Sequence, residues 1–173
     1  MIRSYNEKSP QVGEHSYIAP SADIIGDAHL GDAVSVWFHA TIRADEASIT
    51  IGDQSNIQDN AVLHVSKDMP IIIGKRCTVG HGTILHSCTI GDDCLIGMGS
   101  IILDGAIIGE QTMVAAGTLV PQGKTYPKRC LLMGSPAKVA RELTEQDLEH
   151  MEQNTKSYYE FAQDLVSGKQ RIE

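Results

Sequence analysis

The sequence predicts a mainly β protein, a parallel β-helix of hexapeptide repeats followed by one C-terminal α-helix. Aliphatic residues recur every six positions, a small residue follows four positions after most of them, and glycine often comes directly after them. This period fits neither the 3.6-residue period of an amphipathic helix nor the longer strands of a hairpin meander, so it indicates three short faces per coil. The aliphatic positions are Ile18, Ile24, Leu30, Val36, Ile42, Ile51, Ile57, Leu63, Ile73, Val79, Leu85, Ile90, Ile96, Ile102, Ile108, Val114 and Val120.

Three steps of the repeat depart from six residues. Two are long, and we expect a short loop in each. One is a residue short, which predicts a tight corner. The long steps run from Ile42 to Ile51 and from Leu63 to Ile73, and the short step runs from Leu85 to Ile90.

The repeat ends near residues 121–123, and an irregular stretch leads to the helix. Thr144 followed by Asp147 is typical of a helix start. Apolar residues then recur at spacings of three and four, and Gly168 is a suitable stop. We therefore expect one domain, with a β-helix over 1–123 and a connecting segment and packed helix over 124–173.

Composition excludes several classes of function. The chain has 173 residues, and 14 Lys and Arg against 22 Asp and Glu give a net charge of −8. This balance disfavours binding to nucleic acid or to an anionic membrane. No apolar stretch of signal-peptide or membrane-spanning length occurs, so a cytoplasmic protein is expected. The four cysteines form no CxxC pair and are interpreted as free thiols.

Counting three hexads per coil assigns residues to three faces. Face A contains Ile51, Ile73 and Ile90; face B contains Val36, Ile57, Val79 and Ile96; face C contains Ile42, Leu63, Leu85 and Ile102. On face C, the next residues along form an outward column in which His64 and His86 occupy adjacent coils, about 4.8 Å apart. His81 falls on face B.

A second copy of the chain could bring its face B against face C and so join His81 to the other two histidines. Three copies would close a ring, and Trp37 and Phe38 would then be interface groups. Three neutral imidazoles with a fourth position left to water are the ligand pattern of a catalytic zinc site, in which the metal creates hydroxide at neutral pH. The alternative is that these are ordinary surface histidines.

The chain resembles the gamma-class carbonic anhydrase family, particularly its short bacterial members, over nearly its whole length. The matching segments are His64, the run 81–86 (HGTILH), the run 56–60 (NIQDN), the run 43–45 (RAD) and the run 97–99 (GMG). The resemblance implies a left-handed β-helix homotrimer with Zn²⁺, alternatively Fe²⁺ or Co²⁺, held by His64, His81 and His86 between subunits. The implied reaction is reversible hydration of carbon dioxide to bicarbonate by metal-bound hydroxide.

The resemblance also implies roles for residues around the metal. Gln58 would orient the metal-bound water and Asn56 would flank the pocket. Glu46 matches an acidic position near the site, and Tyr159 on the helix would overhang it. Arg43 and Asp45 match an interface ion pair that has Asp59 as a further partner. The alternatives are a structural ion pair for Arg43, and hydrogen bonding within the coil for Gln58 and Asn56.

One feature of the fully active archaeal members is missing. They carry a long acidic loop with a glutamate proton shuttle, whereas only a short segment follows His64. We therefore expect slow hydration unless Glu46 substitutes. Two other functions remain open. One is a hexapeptide-repeat acyltransferase with a single histidine as general base, and the other is a metal-binding scaffold without turnover.

Overall fold

The computed structural model describes residues 1–169 as a parallel β-helix with one α-helix along its side, which confirms the predicted fold class. Residues 170–173 of the expected C-terminal segment lie outside the described residues. The first ten strands are β1 (Ile2–Arg3), β2 (Gln11–Val12), β3 (Tyr17–Ile18), β4 (Asp23–Leu30), β5 (Ser35–Val36), β6 (Thr41–Ile51), β7 (Asn56–Ile57), β8 (Val62–His64), β9 (Ile71–Ile73) and β10 (Thr78–Val79). They are followed by β11 (Ile84–His86), β12 (Thr89–Ile90), β13 (Leu95–Ile96), β14 (Ile101–Ile102), β15 (Ile107–Ile108), β16 (Met113–Val114), β17 (Leu119–Val120), β18 (Thr125–Tyr126), β19 (Cys130–Gly134), β20 (Ala137–Glu142) and the helix α1 (Glu145–Val166).

The strands form two sheets that wrap one core. Face B is an eight-stranded sheet in the order β20-β19-β16-β13-β10-β7-β5-β3. Faces A and C belong to one twelve-stranded sheet, because β4 and β6 run without a break around the corner between them. All coil-to-coil pairings are parallel, and the pairs Val36 to Ile57, Leu63 to Leu85 and Ile51 to Ile73 confirm the register obtained by counting.

The core is an aliphatic column inside the coils. Its largest fully buried side chains are Ile24, Ile42, Ile49, Ile51, Ile57, Leu63, Ile71, Ile73, Leu85, Ile90, Ile96 and Ile102. On each face of a coil at least one aliphatic side chain points inward, and the small residue at the corner packs beside it. All four cysteines are free and buried, and burial raises the pKa of Cys88 to about 12. They are packed thiols, as the sequence indicated.

The three irregular steps behave differently. The expectation of a loop between Ile42 and Ile51 is wrong, because β6 stays extended and absorbs the extra residues by a register shift opposite β4. The second long step does form a turn, closed by a bridge between Ser66 and Met69. The short step makes the predicted corner, with Ser87 at a φ of 44°.

The parallel ladder also continues beyond residue 123, the expected boundary. Strands β18 and β19 pair in parallel with β15 and β16. Their inward residues are Tyr126 and Leu132, which extend the six-residue spacing past Val120; the tyrosine obscures the pattern because it is not aliphatic. The stretch expected to be irregular forms an antiparallel hairpin of β19 and β20.

Helix α1 packs on face B of its own chain, against β3, β5 and β7. It begins as predicted, with Thr144 as the N-cap of a capping box completed by Asp147. Its buried residues include Met151, Thr155 and Ala162. Among residues 1–169, no helix is long and apolar enough to cross a membrane.

The expectation that Trp37 faces a neighbouring subunit is wrong. Its side chain is only 9% exposed, because Tyr158 of α1 packs edge-on against it at 5.5 Å and Tyr17 lies 5.4 Å away. Phe38, beside it in the chain, is partly buried against the core. Aromatic packing in this region attaches the helix to its own face B.

Candidate metal centre

His64 and His86 lie side by side on face C. They are register partners at the ends of β8 and β11, and Arg43 precedes them in the same row on β6. The two ring centres are 5.1 Å apart, and Nδ1 of His64 lies 3.1 Å from Nε2 of His86. The column predicted by counting hexads is therefore confirmed.

Each of these two rings contacts its own carboxylate on the side away from the other ring. Nε2 of His64 lies 3.1 Å from Oδ1 of Asp45, and Nδ1 of His86 contacts Oδ1 of Asp104. Burial opposes the ionisation of both acids. Hydrogen bonds from His86 and Ser66 outweigh it and lower the pKa of Asp104, and a hydrogen bond from Arg43 chiefly does the same for Asp45.

The two carboxylates determine where the imidazole protons lie. An ionised carboxylate only accepts hydrogen bonds, so the nitrogen facing it must carry the proton. In neutral rings this leaves lone pairs on Nδ1 of His64 and Nε2 of His86, the two nitrogens that face each other. Facing lone pairs repel unless a cation lies between them. The geometry of face C therefore suits a cation between the two nitrogens, either a metal ion or a proton shared by the rings.

The spacing of these nitrogens suits a metal ion. Two imidazole nitrogens bound to one tetrahedral zinc, each at about 2.0–2.1 Å, lie about 3.3 Å apart. The observed separation is 3.1 Å. A histidine that binds a metal through one ring nitrogen usually has its other ring nitrogen bonded to a carboxylate, as Asp45 and Asp104 are placed here. The donor set on face C thus fits a borderline-soft divalent metal but provides only two of its ligands.

His81 lies on face B, two residues after the end of β10, and not with the other two histidines. Its Nδ1 is 2.8 Å from Oδ2 of Asp59, and its Nε2 is 3.3 Å from the hydroxyl of Tyr158. Burial and the nearby charge of Asp59 raise the pKa of Tyr158, which therefore donates to His81. No cluster of three or more metal-binding side chains occurs within residues 1–169.

Asn56 and Gln58 are both buried on face B, at 1% and 4% exposure. The Gln58 amide donates to Oδ1 of Asn56 at 3.1 Å, and the Asn56 amide donates to Oγ1 of Thr78 at 2.9 Å. Thr78 in turn meets Thr155 of α1. These contacts are the coil hydrogen bonding that the sequence left as an alternative. Gln58 is also the chain neighbour of Asp59, which contacts His81.

The remaining sequence-predicted residues are spread over both faces. Arg43 pairs with Asp45 on face C, as expected, whereas Asp59 contacts His81 on face B. Glu46 is exposed on β6, and its carbonyl accepts from the backbone of Asp68 in the turn after His64.

Tyr159 points elsewhere than expected. It lines a cavity of about 540 Å³ together with Arg76 and Asp93. Its neighbour Tyr158 takes the place beside His81, since successive helical residues point about 100° apart.

Sequence reasoning missed two residues of the site. Asp104 follows Leu103, which the counting of hexads puts in the same column as His86. The repeat could therefore have predicted that Asp104 lies near His86. Tyr158 belonged to the predicted apolar stripe of the helix, and its contact with His81 depends on α1 packing on face B. No pattern in the sequence specifies that packing.

Known proteins share this fold, and some are nearly half identical to this chain in sequence. A family model described as bacterial transferase hexapeptide (six repeats) matches residues 87–122. A carbonic anhydrase of Geobacillus kaustophilus is 48% identical over 163 residues, covering 94% of this chain and 90% of that protein. A mitochondrial gamma carbonic anhydrase of Arabidopsis thaliana is 40% identical over 163 residues, covering 91% of this chain, which spans only 59% of the plant protein. A crystal structure from Bacillus cereus, named as a candidate acetyltransferase, is 48% identical with a TM-score of 0.95, covering 96% of this chain and 97% of that one.

Proposed function

The chain belongs to the gamma-class carbonic anhydrase family, and from this premise we propose that it catalyses the reversible hydration of carbon dioxide to bicarbonate. The proposed site lies between subunits of a homotrimer, where His64 and His86 of one copy and His81 of the next hold one divalent metal. Zn²⁺ is the first candidate, and Fe²⁺ and Co²⁺ are the alternatives.

The observation that carries the proposal is the pair of facing nitrogens on face C. Asp45 contacts Nε2 of His64, and Asp104 contacts Nδ1 of His86. The other two nitrogens, Nδ1 of His64 and Nε2 of His86, then present lone pairs 3.1 Å apart. Two carboxylates that turn the free nitrogens of two histidines toward one point are the usual support of a shared metal ion.

The third ligand is prepared in the same way. Nδ1 of His81 faces Oδ2 of Asp59 at 2.8 Å, which leaves Nε2 as the nitrogen that a metal would take. In the single chain the hydroxyl of Tyr158 occupies that nitrogen at 3.3 Å, and in the trimer we expect it to turn toward the substrate pocket. Tyr158 thus takes the role that the resemblance assigned to Tyr159.

A divalent metal held by three imidazoles lowers the pKa of a coordinated water to about 7 and so supplies hydroxide at neutral pH. Side chains around the metal would orient the water and bind the product. Gln58, fixed by Asn56, would orient the water, and the guanidinium of Arg43 would attract bicarbonate. Each of these roles requires the face B of one copy to meet the face C of another.

Proton export is the weak step of this site. Glu46 is exposed near the turn that follows His64, and we propose it as the proton acceptor. A carboxylate is a weaker base than a group that titrates near pH 7, so it accepts protons from such a group with poor driving force. We therefore expect slower hydration than in members with a dedicated shuttle loop, with a further decrease in Glu46→Gln that exogenous buffer restores.

The decisive experiment measures metal content and carbon dioxide hydration on the same anaerobically purified samples. Wild type should contain about one metal ion per chain, and His81→Ala should lose both metal and hydration. His150→Ala is the control, because His150 is an exposed histidine of α1 and is not one of the proposed ligands. Wild type without metal would refute the proposal, and metal without hydration would leave a scaffold or another substrate.

An acyltransferase is the second candidate, favoured by the 2.8 Å contact between Oδ2 of Asp59 and Nδ1 of His81. A histidine oriented by a carboxylate is a general-base arrangement, and hexapeptide transferases share the fold. The two functions separate by mutation. A base at His81 would survive His64→Ala and His86→Ala, whereas a three-histidine metal site would lose its metal in either variant.

A further inference from the structure

Asp104 contacts His86, yet neither the family resemblance nor the repeat pattern assigned it a role. Every proposed metal ligand has its own aspartate: Asp45 for His64, Asp59 for His81 and Asp104 for His86. The first two lie in segments that match the family. Asp104 lies at the corner one coil further on, between β14 and β15.

We propose that Asp104 is a positioning residue that fixes the tautomer and the ring orientation of His86, so that Nε2 faces His64. This proposal rests on the proposed function, since the metal is what Nε2 would bind. Asp104 touches no reacting atom and acts only through the imidazole. Loss of such an outer-shell partner typically costs 10–100-fold in metal affinity.

The carboxylate of Asp104 is itself held in place. Its Oδ1 faces Nδ1 of His86, while its Oδ2 accepts a hydrogen bond of 3.0 Å from the hydroxyl of Ser66. With one oxygen bound to the turn and the other to the ring, the carboxylate cannot rotate without breaking a hydrogen bond. Its side chain is only 24% exposed, so water competes weakly for either oxygen.

Ser66 belongs to the extra residues that follow His64, and this turn is well anchored. The backbone N–H of Ser66 donates to Oγ of Ser87 at 2.7 Å, and that hydroxyl donates to the carbonyl of Met69 at 2.9 Å. Ser87 is the residue directly after His86 and is buried. The turn after one histidine therefore supports the carboxylate that orients the other.

A second aspartate pair provides a matched control. Asp27 contacts Nε2 of His29 at 2.9 Å, and its side chain is 20% exposed, close to that of Asp104. Its other oxygen pairs with the exposed Lys8. His29 is not a proposed ligand. Asp27→Ala thus removes a similar carboxylate from a similar imidazole without touching the metal site.

The test is the zinc dissociation constant of purified protein, measured by competition with a chelator. Asp104→Ala should weaken zinc binding 10–100-fold. Asp104→Asn keeps an oxygen that can accept from His86 and should recover part of that loss, and Ser66→Ala should weaken binding less than Asp104→Ala. Asp27→Ala should leave the constant unchanged. If Asp104→Ala does not fold, Asp104→Asn and Ser66→Ala still test whether the carboxylate supports zinc binding.

A double mutant separates positioning from general stability. In a His86→Ala background, Asp104→Ala should cause no further loss of zinc affinity, because its only route to the metal is gone. An equal loss in both backgrounds would overturn the proposal. So would an unchanged constant in Asp104→Ala when the wild type binds zinc.

The tautomer of His86 is measured independently in the metal-free protein by ¹⁵N NMR of the imidazole. Wild type should show the proton on Nδ1, and Asp104→Ala should show a mixture of tautomers. If the wild type bound no metal, the proposed function would fail, and this spectrum would still decide whether Asp104 fixes the ring. A wild-type proton on Nε2 would refute the positioning role.

Discussion

Faces B and C of the prism are built from the same repeat but end with opposite surfaces. Face B is covered by α1, and its outward Trp37 is only 9% exposed. Face C carries no helix; its outward Val62 and Ile84 pair with each other two residues before His64 and His86 and are 39% and 40% exposed. An apolar row next to half of a metal site is typical of a surface that meets a partner.

This difference separates what one chain completes from what it leaves open. The core is finished within the chain, since Leu63 beneath face C is as fully buried as Ile57 beneath face B. The proposed metal site is not finished, because its third ligand, His81, lies on face B. The side chain of His81 is 44% exposed beside Tyr158 of α1, and this is the part of face B that a second copy needs to reach.

The largest effect should come from mixing two inactive variants. His64→Ala spoils only face C and His81→Ala spoils only face B, so each should be free of metal when alone. In randomly mixed trimers refolded from equal amounts, half of the sites take face C from a His81→Ala chain, and half of these take face B from a His64→Ala chain. About a quarter of the sites should therefore regain metal.

The matched control mixes His64→Ala with His86→Ala. Both changes affect the same face, so no combination of chains supplies two intact histidines there, and metal should stay absent. Recovery in this control, or none in the first mixture despite proven exchange of subunits, would contradict an intersubunit site. Metal content and hydration should follow each other across all mixtures.

The part of this arrangement that follows from sequence is the part governed by the six-residue period. Because the period is an integer fraction of the coil, counting residues places Arg43, His64 and His86 in one row, and the strand register agrees. The same counting puts His81 on a different face. Local periodicity sufficed because each coil contacts only its neighbours.

What could not be predicted depends on contacts outside the repeat. The hydrogen bond from Ser66 to Asp104 joins residues 38 positions apart, through a turn whose shape the period does not determine. The contact of Tyr158 with His81 spans 77 positions and requires α1 to lie on face B. Such contacts depend on tertiary packing, for which one sequence carries no regular signal.

The next largest effect concerns the shared core. Leu63→Ala under face C and Ile57→Ala under face B should each reduce the free energy of unfolding by about 2–5 kcal/mol, because both remove a fully buried aliphatic side chain and leave a cavity. Denaturant unfolding at one fixed protein concentration measures both. Ile72→Ala, at an exposed position on β9 of face A outside the proposed interface, should change it by less than about 0.5 kcal/mol. A cost below 1 kcal/mol for either core variant would mean that the two faces differ inside as well as outside.

The smallest effect tests what keeps face B covered. Thr144 caps α1, and its hydroxyl accepts from the backbone N–H of Asp147 at 3.2 Å. Thr144→Ala leaves that donor without its partner and should destabilise the helix by about 1 kcal/mol. Gln153→Ala, at an exposed position within the same helix, is the control. Trp37 is the single tryptophan of the chain and packs under Tyr158, so its fluorescence reports release of the helix. In Thr144→Ala the fluorescence change should come at a lower denaturant concentration than in the control, and a coincident change in both variants would show that α1 is held by its packing on face B and not by its cap.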